Sequence, residues 1–321
     1  MHRLFVTGGS GFIGTNLIES LLSDGIEVMN FDVRAPLNRD HMPFYARGDV
    51  RDLTVLKRTM SEFRPDFIVH LAARCDLDGD SVEDYSTNTV GVQNMVEAVR
   101  SSQGGQRVIF ASSRYVHRTE HQPASDTDYS PFTAYGESKV VGEKIVRSND
   151  LEAVWLIVRP TSIWGPWFDI PYRGFFSAVR KGLYVHPRGE KIYKSYGYVG
   201  NSVHQIRRFL ESPAPLVHGK TFYLSDHQPI EVRELAELVR KAFGAPPVRE
   251  VPLNWMRRLA VCGDLMRKAG MRNPPLTSFR LTNLRTRMVY DLSATERVVG
   301  ELPFNLQHAV SLTAGWMQQH V

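Results

Sequence analysis

Hydrophobic positions in the first 160 residues fall into two alternating patterns. Leu4-Phe5-Val6, Glu27-Val28-Met29-Asn30-Phe31, Phe67-Ile68-Val69-His70-Leu71, Val108-Ile109-Phe110-Ala111 and Val154-Trp155-Leu156-Ile157-Val158 are nearly continuous apolar runs. A strand reads this way when both of its faces are buried, as in a parallel sheet covered by helices. Between the runs, Phe12 to Ser23, Leu53 to Phe63, Tyr85 to Arg100 and Ala134 to Arg147 carry apolar residues at three-to-four spacing, the stripe of a crossover helix. The alternation predicts βαβαβ units and an α/β fold with a doubly wound parallel sheet.

After about residue 165 the rhythm breaks. Pro, Gly and Tyr cluster in Trp164 to Arg173 and in Tyr184 to Gly200, and helices then alternate with isolated strands such as Thr221 to Ser225. The expected organisation is a sheet domain over residues 1–164 and a smaller, mostly helical region over 165–321, interleaved with the first and carrying the substrate. No internal repeat or low-complexity linker is present.

Composition narrows the class. With 42% hydrophobic and 23% charged residues over 321 positions, a disordered, fibrous or low-complexity chain is excluded. Cys75 and Cys262 lie outside any CxxC or Cys/His pattern, which argues against a disulfide framework and against a metal site. Reduced cysteines and the absence of a signal-peptide pattern in Met1 to Gly14 point to a cytoplasmic location. No apolar stretch of about 18 residues occurs, so no transmembrane helix is expected. The formal charge of +5 suits a nucleic acid, an acidic membrane surface or a small anionic ligand. Without a basic run of five or more or aromatic–basic interleaving, nucleic acid is the weakest of these.

Thr7-Gly8-Gly9-Ser10-Gly11-Phe12-Ile13-Gly14 follows a predicted strand and opens a predicted helix. Gly9, Gly11 and Gly14 satisfy GxGxxG, and Gly8, Gly11 and Gly14 satisfy GxxGxxG. Glycine serves a tight turn, a close approach to a pyrophosphate and hard packing of helix on strand. Helix N-terminal amides, here those near Phe12 and Ile13, then face the phosphates. Asp32 ends the second strand, 21 residues beyond Gly11. There a carboxylate accepts from ribose hydroxyls and repels a 2′-phosphate, which favours NAD, although Arg34 nearby can accommodate that phosphate.

Tyr135-Gly136-Glu137-Ser138-Lys139 sets a phenol and an ammonium four residues apart on one helix face. A phenol titrates near pH 10, so Lys139 and a nicotinamide cation are expected to lower its pKa. Ser113 closes a strand whose carboxyl end lines a ligand crevice, where it is either a substrate ligand or a turn residue. With the glycine turn, Asp32, Ser112-Ser113-Arg114 and this helix in order, the chain resembles the extended short-chain dehydrogenase/reductases, the NAD-dependent epimerase/dehydratase group with a Rossmann fold. Further matches are Gly48-Asp49-Val50-Arg51-Asp52, Leu71-Ala72-Ala73, Asn88 and Arg159-Pro160-Thr161-Ser162-Ile163-Trp164-Gly165-Pro166.

The resemblance implies that Tyr135 is the general acid/base, that Lys139 lowers its pKa and holds the nicotinamide ribose, and that Ser113 positions the substrate oxygen. It implies that Asp49 and Val50 lie at the adenine and Ala72 near the pyrophosphate, with Leu71, Ala73, Asn88 and Pro160 completing the cofactor set. Arg74, Arg114, Ser162, Lys194 and Arg285 are the accompanying substrate candidates. It also implies a homodimer through Asn88 to Arg100 and Tyr135 to Arg147, with apolar residues on a second face of those helices.

Departures from the family pattern choose among reactions. The family's dehydratases resemble one another in carrying Asp-Glu after the catalytic Ser/Thr, where this chain has Arg114 and Tyr115, and its fucose-synthase-like members carry Cys at the position of Tyr115. Neither Arg nor Tyr replaces carboxylates in an elimination at neutral pH. Hydride chemistry at a carbinol remains. His117 stands where the family has Tyr, as a substrate contact or a packed histidine. Lys194 replaces a diphosphate-binding Arg, losing its bidentate geometry. Gly200 and Asn201 replace two aspartates, and Arg285 and Arg287 resemble the family's late Arg.

The reading this favours is an NAD-dependent, 4-epimerase-like oxidoreductase on a nucleotide-activated sugar. A keto-sugar reductase or 4,6-dehydratase, a hydroxysteroid-dehydrogenase-like enzyme on a hydrophobic alcohol, and a non-catalytic dinucleotide binder are the alternatives. The basic amphipathic stretch from Trp255 to Lys268 resembles a late segment of the hydroxysteroid branch and leaves peripheral membrane contact open. Its simpler reading is a helix packing its apolar face inward.

Overall fold

In a computed structural model describing residues 3–102, 107–119, 121–169, 172–271, 274 and 276–321, the apolar runs form one parallel sheet. Its strands are β1 (Arg3–Thr7), β2 (Glu27–Asp32), β3 (Tyr45–Arg47), β4 (Phe67–His70), β5 (Arg107–Ala111), β6 (Val154–Pro160) and the strand Thr221–Leu224. Their order is Thr221–Leu224, β6, β5, β4, β1, β2, β3. The chain runs outward from β1 to β3, then crosses to β4 on the other side of β1, so the strand order reverses between β4 and β1. Thr7 pairs with Phe31 on one side and His70 on the other, which sets the carboxyl ends of β1, β2 and β4 at one rim. A crevice at such a reversal is where this architecture binds ligands.

The crossover helices α1 (Phe12–Ser23), α2 (Leu53–Phe63), α3 (Ser86–Ser101) and α4 (Ala134–Ser148) cover the sheet. Asp52 caps α2 and Thr133 caps α4, each accepting from a backbone N–H of the first turn. Phe5, Phe31, Leu56, Met60, Ile68, Met95, Val96, Val108 and Ile157 pack in the core beneath α2 and α3. The rings of Phe5 and Phe31 lie 5.7 Å apart.

The chain divides into two units. The first holds residues 1–167 and takes back 197–227 and 291–304, so the chain returns to it twice after the break near 165. The cause is apolar burial. The helix Val199–Glu211 buries Val199, Val203, Ile206, Phe209 and Leu210, and Phe209 stacks on Phe222 at 4.5 Å. Thr221–Leu224, expected as an isolated strand, is the seventh strand of the main sheet beside β6. The second unit holds 168–196, 228–290 and 305–321. In it, the helices Tyr172–Arg180, Val232–Phe243, Leu253–Lys268, Ser278–Arg285 and Leu306–His320 surround two small strand pairs.

Candidate active site and its dinucleotide cradle

The end of β1 is tied to the segment after β4. Leu71 N donates to Thr7 O at 3.0 Å, Ala72 N to Thr7 Oγ1 at 3.3 Å, and Thr7 Oγ1 bonds His70 Nδ1 at 2.8 Å. The glycine turn is folded against this corner. Gly8 has φ +73°, and a Cβ there would stand 2.6 Å from Ala72 N. A Cβ on Gly14 would stand 2.6 Å from Gly9 Cα and closer still to Gly8 O. Both positions therefore exclude any larger residue, leaving a bare backbone concavity at the start of α1. Gly11 caps α1 without a side chain, and the first turn of the helix carries no acidic residue.

Asp32 is buried at the end of β2, and its two oxygens accept from Ser10 N at 3.1 Å and Arg34 N at 2.9 Å. The carboxylate is thus fixed in orientation with lone pairs remaining for two hydroxyls. Cradle, uncapped helix and oriented acid together fit an adenine dinucleotide. Val50 is buried, its carbonyl held by Asn94 Nδ2 at 3.0 Å. Asp49 is ion-paired with Arg51 at 2.6 Å, and the bonds from Arg51 hold its carboxyl below the usual range. Asn88 is buried beneath the loop that follows β4. It accepts from Arg74 N at 2.9 Å and donates to Arg74 O at 3.0 Å and Ser138 Oγ at 2.9 Å. It therefore clamps the Leu71-Ala72-Ala73-Arg74 segment to α4. Pro160 is the last residue of β6.

Ser113, Tyr135 and Lys139 meet beyond the carboxyl end of β5, all three buried. Ser113 Oγ accepts from Tyr115 N at 3.2 Å, capping the single turn Arg114–Val116. Lys139 Nζ donates to Ala111 O at 3.0 Å. Gly136 lets α4 close on this turn, because a Cβ there would collide with Tyr115 O. The Tyr135 ring lies 5.9 Å from Tyr85 and 5.6 Å from Tyr115, which in turn stacks on Phe132 at 5.5 Å. The reacting corner is walled by aromatic rings.

Electrostatics differ from the expectation drawn from spacing. Burial drives the Tyr135 phenol above its ordinary value, the neighbouring Cys75 thiol raises it further, and only the Ser113 hydroxyl acts in the opposite direction. Burial also lowers Lys139. In the protein's own field, then, burial is the largest influence on the phenol. His70 is pushed down to about 3 by burial and by Lys139, so it stays neutral behind Thr7.

A buried network escaped the sequence reading. Glu143 on α4 and Arg159 on β6 are each 1% exposed and make a bidentate pair, Nη2 to Oε2 at 2.7 Å and Nε to Oε1 at 2.8 Å. Ser112 Oγ and Tyr129 OH donate to the same carboxylate at 2.6 and 3.0 Å. His117 Nε2 lies 3.0 Å from Arg159 Nη1, and burial and that charge hold it neutral, near 4. His117 is thus a packed histidine. The readable signal was the lone charge of Arg159 within the apolar run of β6.

The remaining candidates are occupied with their own surroundings. Arg114 is buried with its guanidinium 4.2 Å from the Tyr115 ring centre. Arg74 pairs with Asp76 at 2.9 Å, donates to Asp84 O and lies over Tyr85. Ser162 is buried in the strand Ser162–Trp164. Asn201 clamps Asp226 and Phe304 by donating to each at 2.8 Å. Lys194 and Arg285 belong to the second unit. Lys194 is buried and donates to Asn283 O at 2.6 Å, and Arg285 pairs with Glu190 at 3.3 Å. Among the described residues no helix is long and apolar enough to cross a membrane, and no group of three or more His, Cys, Asp or Glu could hold a metal ion.

Comparison with known proteins agrees with this geometry. A 3-beta-hydroxysteroid dehydrogenase of Mycolicibacterium neoaurum is 29% identical over 97% of this chain and 90% of its own length. The N-acetyl-alpha-D-glucosaminyl-diphospho-ditrans,octacis-undecaprenol 4-epimerase of Escherichia coli O157:H7 is 26% identical over 97% and 94%. The crystal structure of the Thermus thermophilus UDP-glucose 4-epimerase in complex with NAD superposes with a TM-score of 0.72 at 26% identity, covering 99% of this chain and 100% of that one. The sequence model of the NAD dependent epimerase/dehydratase family matches residues 4–223, and with the Rossmann sheet, the glycine cradle and the buried Ser113, Tyr135 and Lys139 already in place, the chain belongs to that family of enzymes.

Proposed function

We propose that this protein is an NAD-dependent oxidoreductase acting at a secondary alcohol or ketone borne on a predominantly apolar skeleton. The observation that carries the reading is the buried meeting of Ser113, Tyr135 and Lys139 inside a wall of Tyr85, Tyr115 and Phe132. Gly8, Gly11, Gly14 and Asp32 would hold the dinucleotide, with Asp32 selecting NAD over its 2′-phosphorylated form. Bound there, the nicotinamide supplies the hydride acceptor or donor. Tyr135 gives its proton to the carbonyl oxygen of a ketone, or takes one from a hydroxyl. Ser113 donates a hydrogen bond to the same oxygen, and Lys139, anchored on Ala111 O, places positive charge beside the phenol as it ionises.

The nucleotide-sugar reading has support from the epimerase relatives, but the two cations assigned to the diphosphate, Lys194 and Arg285, are engaged with Asn283 and Glu190. Aromatic walls and the hydroxysteroid dehydrogenase relative favour an apolar alcohol. Denaturing the purified protein and identifying released small molecules by mass spectrometry, then following NADH formation with a 3β-hydroxysteroid and epimerisation of UDP-galactose in parallel, separates the readings. NADH formation with the steroid alcohol is expected. Turnover of UDP-galactose alone would replace the apolar reading with the sugar one, and absence of NAD binding would remove both. A cytoplasmic homodimer is part of the same reading. Among large apolar residues, however, only Val90 is exposed on α3 and none on α4, so the expected second apolar face is reduced to one side chain. A monomer in sedimentation at micromolar concentration would remove the dimer.

A further inference from the structure

The helix Leu253–Lys268 turns the wrong way for a simple packing helix. Its buried residues are the small or slender Met256, Ala260 and Gly263, and Gly263 backs directly onto Leu276 O. Trp255, Leu259, Cys262 and Met266, at four-three-four spacing and so on one face, are all exposed. Val261, Leu265, Met271 and Phe279 of the following helix extend the apolar surface, with exposures from 45% at Met266 to 63% at Phe279. Among the described residues, seven of the eighteen exposed large apolar side chains lie between 255 and 279. Such a concentration marks a docking surface.

Charge identifies the occupant. Residues 251–290 contain eight Arg and Lys and one acidic residue, Asp264, a local +7, whereas the rest of the chain holds 31 basic against 33 acidic residues, −2. The net positive charge of the protein therefore resides in this segment. Asp264, the sole carboxylate, accepts from Ser278 N at 3.1 Å. Arg257, Arg258 and Lys268 are exposed around the apolar stripe, and the Arg258 guanidinium lies 5.2 Å from the Trp255 ring centre. Trp and Arg in this pairing suit a headgroup boundary, where one end is apolar and the other wet. A second copy of the chain would oppose Arg257, Arg258, Arg267 and Lys268 to the same four cations, which disfavours self-association through this face.

We propose that the Leu253–Lys268 helix, with Met271 and Phe279, docks on the surface of an anionic phospholipid bilayer, apolar stripe inserted at the headgroup boundary and arginines on the lipid phosphates. The proposal does not depend on the substrate class. The test is flotation of the full chain with phosphatidylcholine vesicles, with and without phosphatidylglycerol. Binding to the mixed vesicles and not to the neutral ones is expected. At about fivefold per basic side chain, R257E/R258E/R267E/K268E lowers partitioning more than 100-fold. The variant L259S/M266S, at exposed positions, loses vesicle binding while retaining the wild-type Tm and NAD affinity. No flotation with the anionic vesicles, equal flotation with the neutral ones, or binding insensitive to both variants would overturn the proposal. So would a wild-type dimer that L259S/M266S converts to monomer.

Discussion

Removing one partner of the Glu143–Arg159 pair is the perturbation whose size the structure sets most tightly. Both side chains are 1% exposed and are joined by two bonds of 2.7 and 2.8 Å. For charge centres roughly 4 Å apart and an effective dielectric constant near 20, the attraction is about 4 kcal/mol. Leaving one of two such charges buried alone costs about 3–5 kcal/mol. We expect Arg159→Met and Glu143→Gln each to lower stability by that amount. The double variant should cost little more than either single change, because the second substitution removes a charge that the first had left without its bidentate partner, Glu143 keeping only Arg147 at 3.9 Å. The coupling energy from the double-mutant cycle is then at least about 2 kcal/mol. Urea unfolding followed by circular dichroism measures it, repeated at high salt, where a buried pair keeps its coupling and an exposed pair such as Arg74–Asp76 does not. Because Ser112 donates to Glu143 at 2.6 Å and adjoins Ser113, turnover should fall in both single variants. Additivity of the two single changes within about 0.5 kcal/mol would refute the coupling and reduce the pair to two independent contacts.

Three further outcomes follow from the site. Tyr135→Phe should lower kcat by about 10²–10⁴-fold with NAD affinity intact, and an unchanged kcat would remove the phenol from the chemistry. Gly14→Ala should weaken NAD binding at least about tenfold, since its methyl would press on Gly9 Cα and Gly8 O; an unchanged Kd in calorimetric titration counts against the cradle. Asp226 is raised from 3.8 to about 6 by burial, which outweighs its bonds from Asn201 and the Tyr198 amide. With the folded value above the unfolded one, its stabilising contribution is complete below about pH 4 and is lost as pH rises through 6, a change of about 3 kcal/mol. The wild-type Tm should fall across that window, whereas Asp226→Asn should remove most of the fall; parallel pH profiles for the two proteins would contradict the assignment.

What the sequence disclosed and what it hid have physical causes. The buried strands and the crossover helices of the first 160 residues were readable nearly to the residue, because strands buried on both faces and crossover helices impose distinct periods on the chain. Thr221–Leu224 was visible as a strand, but a four-residue apolar run carries no mark of its partner, and only Phe209 stacking on Phe222 and the register with β6 place it in the main sheet. Tyr45–Arg47 left no pattern at all, since an edge strand of three residues is held by backbone bonds to β2. The same distinction runs through the site. Tyr135 and Lys139 were legible because helical geometry alone sets them on one face, whereas Glu143 and Arg159 meet only through packing of α4 on β6.

Spacing registers which charges lie near the phenol and is blind to how deeply they are buried. Burial raises Tyr135 and lowers Lys139, so desolvation works against ionisation at both groups. Lys139 is consequently a poor lever on the phenol while the corner holds only the protein's own charges. The anchoring of Nζ on Ala111 O holds the ammonium beside β5, where, in the proposed reaction, its charge would become effective as a proton leaves Tyr135 for a substrate oxygen. Under the proposed chemistry, the protonated phenol donates to a ketone oxygen, and its ionised form beside Lys139 accepts the proton of an alcohol. In the proposed alcohol oxidation, an oxidised nicotinamide would add its positive charge to that of Lys139 at the same corner.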